Sequence, residues 1–168
     1  MAKSYAPIQL YEAKQTSVNL LDTPEDFYMH NRRYSSSTIL NITYGRRIPK
    51  WDCEEIRKIY SVLERFSDVR RPGAYLVDTF PELADSRLFD LISSWRKKGN
   101  EYHKKDYEIY KDFWDVMVKE IESGKAQHSF GKEFVQSDYQ KMGVDQVQAV
   151  YIWYPQLLEF VDLEWCDD

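Results

Sequence analysis

Apolar positions recur along this chain at helical rather than strand spacing. Within 5–21, Ile8, Tyr11, Val18 and Leu21 form a helical stripe with a weak middle. The run Asp22-Thr23-Pro24-Glu25-Asp26 punctuates it. Thr23 suits an N-cap, Pro24 the first helical position, and the acids the positive helix end. A second helix is expected over 24–45, stopping at Gly45. Asp52-Cys53-Glu54-Glu55 reads as another start, with Asp52 capping and Glu55 reaching back. Ile56, Ile59, Tyr60, Leu63 and Phe66 supply that helix's apolar face. Over 67–87 the period is lost and Pro72, Gly73 and Pro81 appear, the mark of a functional or flexible connection. The longest helix is expected over 87–122, with Trp95, Tyr102, Ile109, Phe113, Val116, Met117 and Ile121 on one face and Gly124 ending it. A shorter element follows over 130–141. A last helix starts near Asp145, carries Val147, Val150, Tyr151 and Tyr154, and breaks or kinks at Pro155 before resuming over 156–165. No strand pair emerges. The pattern predicts an all-α fold, a multi-helix bundle, in a single domain over 1–168.

Composition narrows the function more than the fold. Hydrophobic residues make up 43% and charged residues 30%, ordinary for a soluble globular protein, so 168 residues suffice for a real core. Aromatics are abundant, with Tyr 13, Phe 8 and Trp 5. The net charge is −5, and short basic runs such as Arg96-Lys97-Lys98 are offset by nearby acids. No continuous basic track exists for phosphates, so nucleic acid is not an expected partner. Met1 to Leu10 lacks the apolar run of a signal peptide, and no window has the length of a membrane span. A cytoplasmic protein is expected.

Familiar chemistries find no motif. His30, His103 and His128 have no second histidine at ligand spacing, and Cys53 and Cys166 form no framework, so neither a metal nor a disulfide scaffold is expected. Gly-rich phosphate loops and Gly-x-Ser-x-Gly elbows are absent from the sequence. Glu54-Glu55-Ile56-Arg57 reads as an intrahelical charge pair.

Several collinear segments carry a resemblance. Tyr5-Ala6-Pro7-Ile8-Gln9, Leu20-Leu21-Asp22-Thr23-Pro24-Glu25-Asp26-Phe27, His30-Asn31-Arg32-Arg33-Tyr34 and Tyr44-Gly45-Arg46-Arg47 resemble fungal cytochrome P450s of secondary metabolism. Pro72-Gly73-Ala74-Tyr75-Leu76-Val77-Asp78-Thr79-Phe80-Pro81 is similar to that family's connection between its F and G helices. The resemblance covers 5–152 and implies helices D through H with the start of helix I. Residues 153–168 form a divergent aromatic tail. Where the family's oxygen-activating stretch of helix I is due, the chain reads Trp153-Tyr154-Pro155-Gln156-Leu157-Leu158. Neither cysteine has the glycines of a haem-thiolate loop nearby.

The resemblance therefore implies a retained roof of the substrate cavity without haem, and no cofactor is expected. Two readings stay open. One is a cofactor-free cyclase, of the intramolecular Diels–Alder type, acting on a lipophilic terpenoid or polyketide intermediate. Its expected donors are Tyr75 and Arg71, and its expected substrate-binding residues are Tyr60, Phe80, Trp153 and Tyr154. The other is a non-catalytic carrier of a lipophilic ligand, or a helper of a full-length P450. Surfaces that a longer chain would bury also favour a homodimer.

Overall fold

The computed structural model describes residues 2–85, 94–137 and 139–151, and every element in it is helical. The all-α expectation holds. Helix α1 spans Ala2–Asp22, α2 Phe27–Tyr44, α3 Glu54–Arg70, α4 Leu76–Thr79, α5 Trp95–Glu122, α6 Phe130–Gln136 and α7 Gln146–Tyr151. Short 3-10 turns occupy Pro24–Asp26, Pro81–Asp85 and Tyr139–Met142. The residues form two compact units, one holding those up to Ile56 and from Tyr110 onward, the other Arg57–Ile109.

Several boundaries differ from the periodicity for local reasons. Pro24 starts a 3-10 turn rather than α2 itself, and the Thr23 side chain makes no cap bond to it. The Thr23 hydroxyl instead lies 2.9 Å from His30 Nε2. Helix α3 begins at Glu54 and continues to Arg70, past the point where its apolar stripe fades. Ion pairs on its last turns supply what the stripe does not. Among the described residues α5 begins at Trp95. Asp145 starts α7 through a reciprocal cap: its carboxylate accepts from the Gln148 N–H at 2.7 Å, and its own N–H donates to the Gln148 side-chain oxygen at 3.1 Å.

In the first unit, α1 packs on α2. The α2 face that is buried is largely polar: Ser36, Ser37, Thr38, Asn41 and Thr43 join Leu40 and Tyr44. Small side chains let the backbones approach. The Ile48 N–H reaches the Ser37 hydroxyl at 2.9 Å, tying the chain after α2 back onto it. At the centre of this packing sits Glu12, fully buried. Its carboxylate accepts from Arg33 at 2.6 Å and from Arg47 at 2.8 Å. Arg33 also donates to the Thr16 hydroxyl at 2.9 Å and the Ile48 carbonyl at 3.2 Å.

The apolar core of this unit gathers Tyr44, Phe113, Trp114 and Met117. Trp114 meets the edges of Phe134 and Tyr139, which stack on each other at 5.0 Å. Gly131 is where α6 touches this core most closely. A Cβ there would lie 2.3 Å from Met117 Sδ and 2.7 Å from the Thr43 carbonyl oxygen, so no larger residue fits without displacement.

The second unit has a smaller core around Ile59 and Val62. Arg65 donates to Asp106 at 2.6 Å and to Ser61 at 3.2 Å. Burial raises the Asp106 carboxyl above its usual range, and Arg65 only partly counters this.

The Glu12 network generates a stability prediction. Glu12→Gln leaves Arg33 buried without its counter-charge and should cost about 3–5 kcal/mol. The joint replacement Glu12→Leu with Arg33→Met should recover most of that. Urea unfolding of the two variants checks both outcomes.

Candidate functional site

In the second unit the chain leaves α3 through a tight turn. Arg71-Pro72-Gly73-Ala74 closes with the Ala74 N–H donating to the Arg71 carbonyl at 3.0 Å. Pro72 pre-sets the second position, and Gly73 takes φ +75°, the combination of a type II turn. Tyr75 follows in extended conformation as the residue before α4. The turn thus places Arg71 and Tyr75 beside the last turn of α3.

A cavity of about 390 Å³ opens here, lined by Asp68, Arg71, Pro72, Gly73, Ala74, Tyr75 and Lys98. Asp68 is its electrostatic centre. One carboxylate oxygen accepts from Arg71 Nη2 at 3.1 Å. The other accepts from Lys98 Nζ at 2.5 Å and from the Tyr102 hydroxyl at 2.9 Å. Lys98 and Tyr102 stand four residues apart on α5, so one helix face presents both donors. The Lys98 ammonium also lies 5.3 Å from the centre of the Tyr102 ring and 5.9 Å from that of Tyr75, within cation–π range.

Proton affinities follow from this arrangement. Hydrogen bonds from Lys98 and then Tyr102 hold the Asp68 carboxyl below its usual range. The Asp68 carboxylate, helped by Tyr102 and Tyr75, raises Lys98 above the ordinary lysine range. Lys98 therefore remains an ammonium at neutral pH and is no amine nucleophile. Two cations face one carboxylate, so the cluster keeps a surplus of positive charge and of N–H donors. It is suited to receive an oxygen atom that carries or develops negative charge.

Of the residues singled out from sequence, Arg71 and Tyr75 line this one cavity. Phe80 lies beyond α4 and is exposed, outside the lining. Tyr60 sits half-buried on α3, also outside it. Trp153 and Tyr154 lie outside the described residues. Sequence reasoning missed Asp68, Lys98 and Tyr102. Their spacing of 30 and 34 residues leaves no local signature, although the Lys98–Tyr102 step on one helix is a signal once Arg71 and Tyr75 are suspected.

No family model matches the chain, and no solved structure does. Curated relatives do. Cytochrome P450 monooxygenase verL of Clonostachys rogersoniana is 30% identical over 152 residues, which is 89% of this chain and 28% of that protein. The chain is cytochrome P450-like. Cytochrome P450 monooxygenase 113 of Postia placenta is 28% identical over 152 residues, 90% of this chain and 29% of the relative. Cytochrome P450 monooxygenase 231 of the same fungus reaches 36% over 107 residues, 63% of this chain and 18% of its own length. This P450-like chain thus spans less than a third of the length of the relatives it matches.

The family implies haem, and the described residues of the P450-like chain do not fit it. A haem thiolate must be deprotonated. Cys53, the described cysteine, is pushed the other way, by burial first and by the neighbouring Glu55. No group of three or more His, Cys, Asp or Glu side chains that could hold a metal occurs among the described residues. No helix among them is long and apolar enough to cross a membrane.

The depressed Asp68 carboxyl gives a pH prediction with a definite sign. A carboxyl whose folded-state pKa is lowered adds stability above its unfolded pKa, and loses it as pH falls through the folded value. Asp68→Asn should therefore be less stable than the parent at pH 7, and the gap should close in acid below the ordinary carboxylate range. Urea midpoints at neutral and acidic pH measure it.

Proposed function

We propose that this P450-like chain binds a lipophilic, oxygenated natural-product intermediate at the Asp68–Arg71–Tyr75–Lys98 cavity and promotes its cyclisation without haem. The observation that carries the reading is the surplus of donors there: Arg71, Lys98 and Tyr102 all donate to a single carboxylate, and Tyr75 lines the same cavity. A carbonyl conjugated to an alkene, docked on those donors, loses electron density from its double bond. An intramolecular Diels–Alder closure then needs only a folded substrate and that polarisation. Holding the chain in a reactive shape supplies part of the acceleration, and fixed donors supply the rest. The cavity's polar wall anchors one end of the substrate. Leu76 and Phe80, exposed just past Tyr75 in the chain, offer apolar contact for its hydrocarbon. Terpenoid or polyketide intermediates fit this chemistry, and the P450-like ancestry supports a place in fungal secondary metabolism.

The purified chain is incubated with a conjugated polyene ketone from such a pathway, and products are followed by liquid chromatography and mass spectrometry. Arg71→Ala and Tyr75→Phe should each slow ring formation by about tenfold to a hundredfold, less than in a sealed site because this cavity is open to water. Unchanged turnover in both variants removes them from the reaction.

One observation favours a non-catalytic second reading. Leu10, Tyr11, Val18 and Leu21 of α1 and Tyr28 of α2 are exposed, Leu21 at 84% and Tyr28 at 77%. Such an apolar row suits a protein partner, either a second copy or a full-length P450 that the chain assists. In that case the same incubation returns the ketone unconverted, and the chain co-purifies with that second protein.

A further inference from the structure

The Asp68 cavity carries a net charge that the polarisation of a neutral carbonyl does not use. Among the described residues that line it, Arg71 and Lys98 are positive and Asp68 alone is negative. Arg71 bonds one oxygen of Asp68 and Lys98 the other, so both cations are held at hydrogen-bonding distance from one group. One positive charge is left over at a single place. Solvent reaches it: the Arg71 side chain is 71% exposed and that of Lys98 39%.

Arg71 holds Asp68 through one nitrogen, Nη2, and its other N–H groups have no partner among the described residues. A guanidinium presents its N–H groups as a planar fork, and a carboxylate, with two oxygens sharing one charge, matches a free edge of that fork. Lys98 hydrogen-bonds Tyr102 and Tyr75 as well as Asp68, so it acts on an entering group through its charge. A surplus of one charge suits a monoanion and leaves a phosphate dianion half-matched. The rest of the wall is apolar, made by Pro72, Ala74 and the Tyr75 ring. The volume is on the order of ten times one water's share of the liquid, which leaves room for carbons attached to the carboxylate.

We infer that the Asp68 cavity binds a chain-bearing monocarboxylate, of the fatty-acid class, with its carboxylate on the free edge of Arg71 and its first carbons against Pro72, Ala74 and Tyr75. The inference rests on the reading of this cavity as a ligand site, and not on turnover there. A carboxylate draws less electron density from a neighbouring alkene than a ketone does. Such a ligand therefore occupies the donors without being closed into a ring, and it competes with the ketone for them.

The test uses the whole chain, labelled with nitrogen-15, titrated at neutral pH and low salt with hexanoate, 1-hexanol and hexylammonium. Hexanoate should shift the Gly73 and Ala74 amides and the Arg71 Nε–H saturably, with a dissociation constant of about ten millimolar for a ligand so small. 1-Hexanol has the same chain without the charge and should bind about threefold to fivefold more weakly, the scale of an exposed ion pair. Hexylammonium should bind more weakly still. Arg71→Gln, a change at an exposed side chain, should weaken hexanoate by about the same threefold to fivefold while leaving hexanol binding and the remaining amide spectrum intact. Absence of a saturable shift at Gly73 and Ala74 overturns the proposal. So does hexanol or hexylammonium binding as tightly as hexanoate, or Arg71→Gln binding hexanoate as the parent does. Hexanoate added to the ketone incubation should slow ring formation competitively, and ring formation unslowed at saturating hexanoate overturns the shared site. A chain that binds hexanoate in this pattern but never converts the ketone keeps the carboxylate site and loses the cyclase reading.

Discussion

A carboxylate with no exposure to water must be surrounded by charge and donors or it will not stay ionised, and Glu12 is such a group. Desolvating Glu12 and Arg33 costs several kcal/mol per ion, which their attraction offsets only through good geometry. The geometry here is specific. Arg33 and Arg47 each take one oxygen of Glu12, and Arg33 spends its remaining terminal donors on Thr16 and Ile48. Three stretches of chain are thereby fixed at once: α1, α2 and the segment after Gly45. The polar face of α2 follows from the same constraint. Serines and threonines, rather than leucines, bring the helix close enough for a guanidinium to reach across. The network ends at Arg33 Nε, a buried donor without a protein partner among the described residues.

The Asp68 cluster has the opposite balance. It is open to water, and its carboxylate is outnumbered by Arg71, Lys98 and Tyr102. Its proton affinities limit what it can do. Lys98 is held as an ammonium, so it will not attack a carbonyl, and Asp68 is too weakly basic to take a proton from carbon readily. Donation of hydrogen bonds is what remains. Chemistry built on donation alone polarises a substrate without exchanging protons or electrons with it, which is the requirement of a pericyclic closure.

Sequence carried the helices well wherever an apolar stripe marks the buried face, as on α3 with Ile56 and Ile59 and on α5 with Phe113 and Met117. The turns after Tyr44 and Glu122 were legible from Gly45 and Gly124, both at positive φ. It placed α2 from Pro24 and Gly45 but not the face that α2 buries, because a helix that buries Ser36, Ser37, Thr38 and Asn41 has little amphipathic signal. Glu12 and Arg33 are separated by 21 residues, and no local rule pairs them. The candidate site divides the same way. Arg71 and Tyr75 were singled out because they stand in the long aperiodic connection that resembles the family's link between its F and G helices. Asp68 and Lys98 were missed because each sits inside a regular helix, where a charge normally means a solvated face, and Tyr102 because it reads as part of the apolar face of its helix.

The same division bears on the choice between catalyst and carrier. A carrier of lipophilic cargo gains most from an apolar, enclosed pocket, and each unsatisfied donor on its wall costs binding energy. The Asp68 cavity instead sets Asp68, Arg71 and Lys98 beside Pro72, Ala74 and Tyr75, and the larger apolar side chains of Leu76 and Phe80 stand outside the lining. In the proposed reading such a wall would hold a ligand by one polar end and leave the hydrocarbon to fold over exposed apolar surface. It discriminates little between hydrocarbons and strongly between oxygenated and unoxygenated ends. Any stabilisation it offers grows as negative charge develops on the anchored oxygen. A site whose grip strengthens along the reaction coordinate acts on its ligand, and this asymmetry between ground state and transition state is what the proposed cyclisation would draw on.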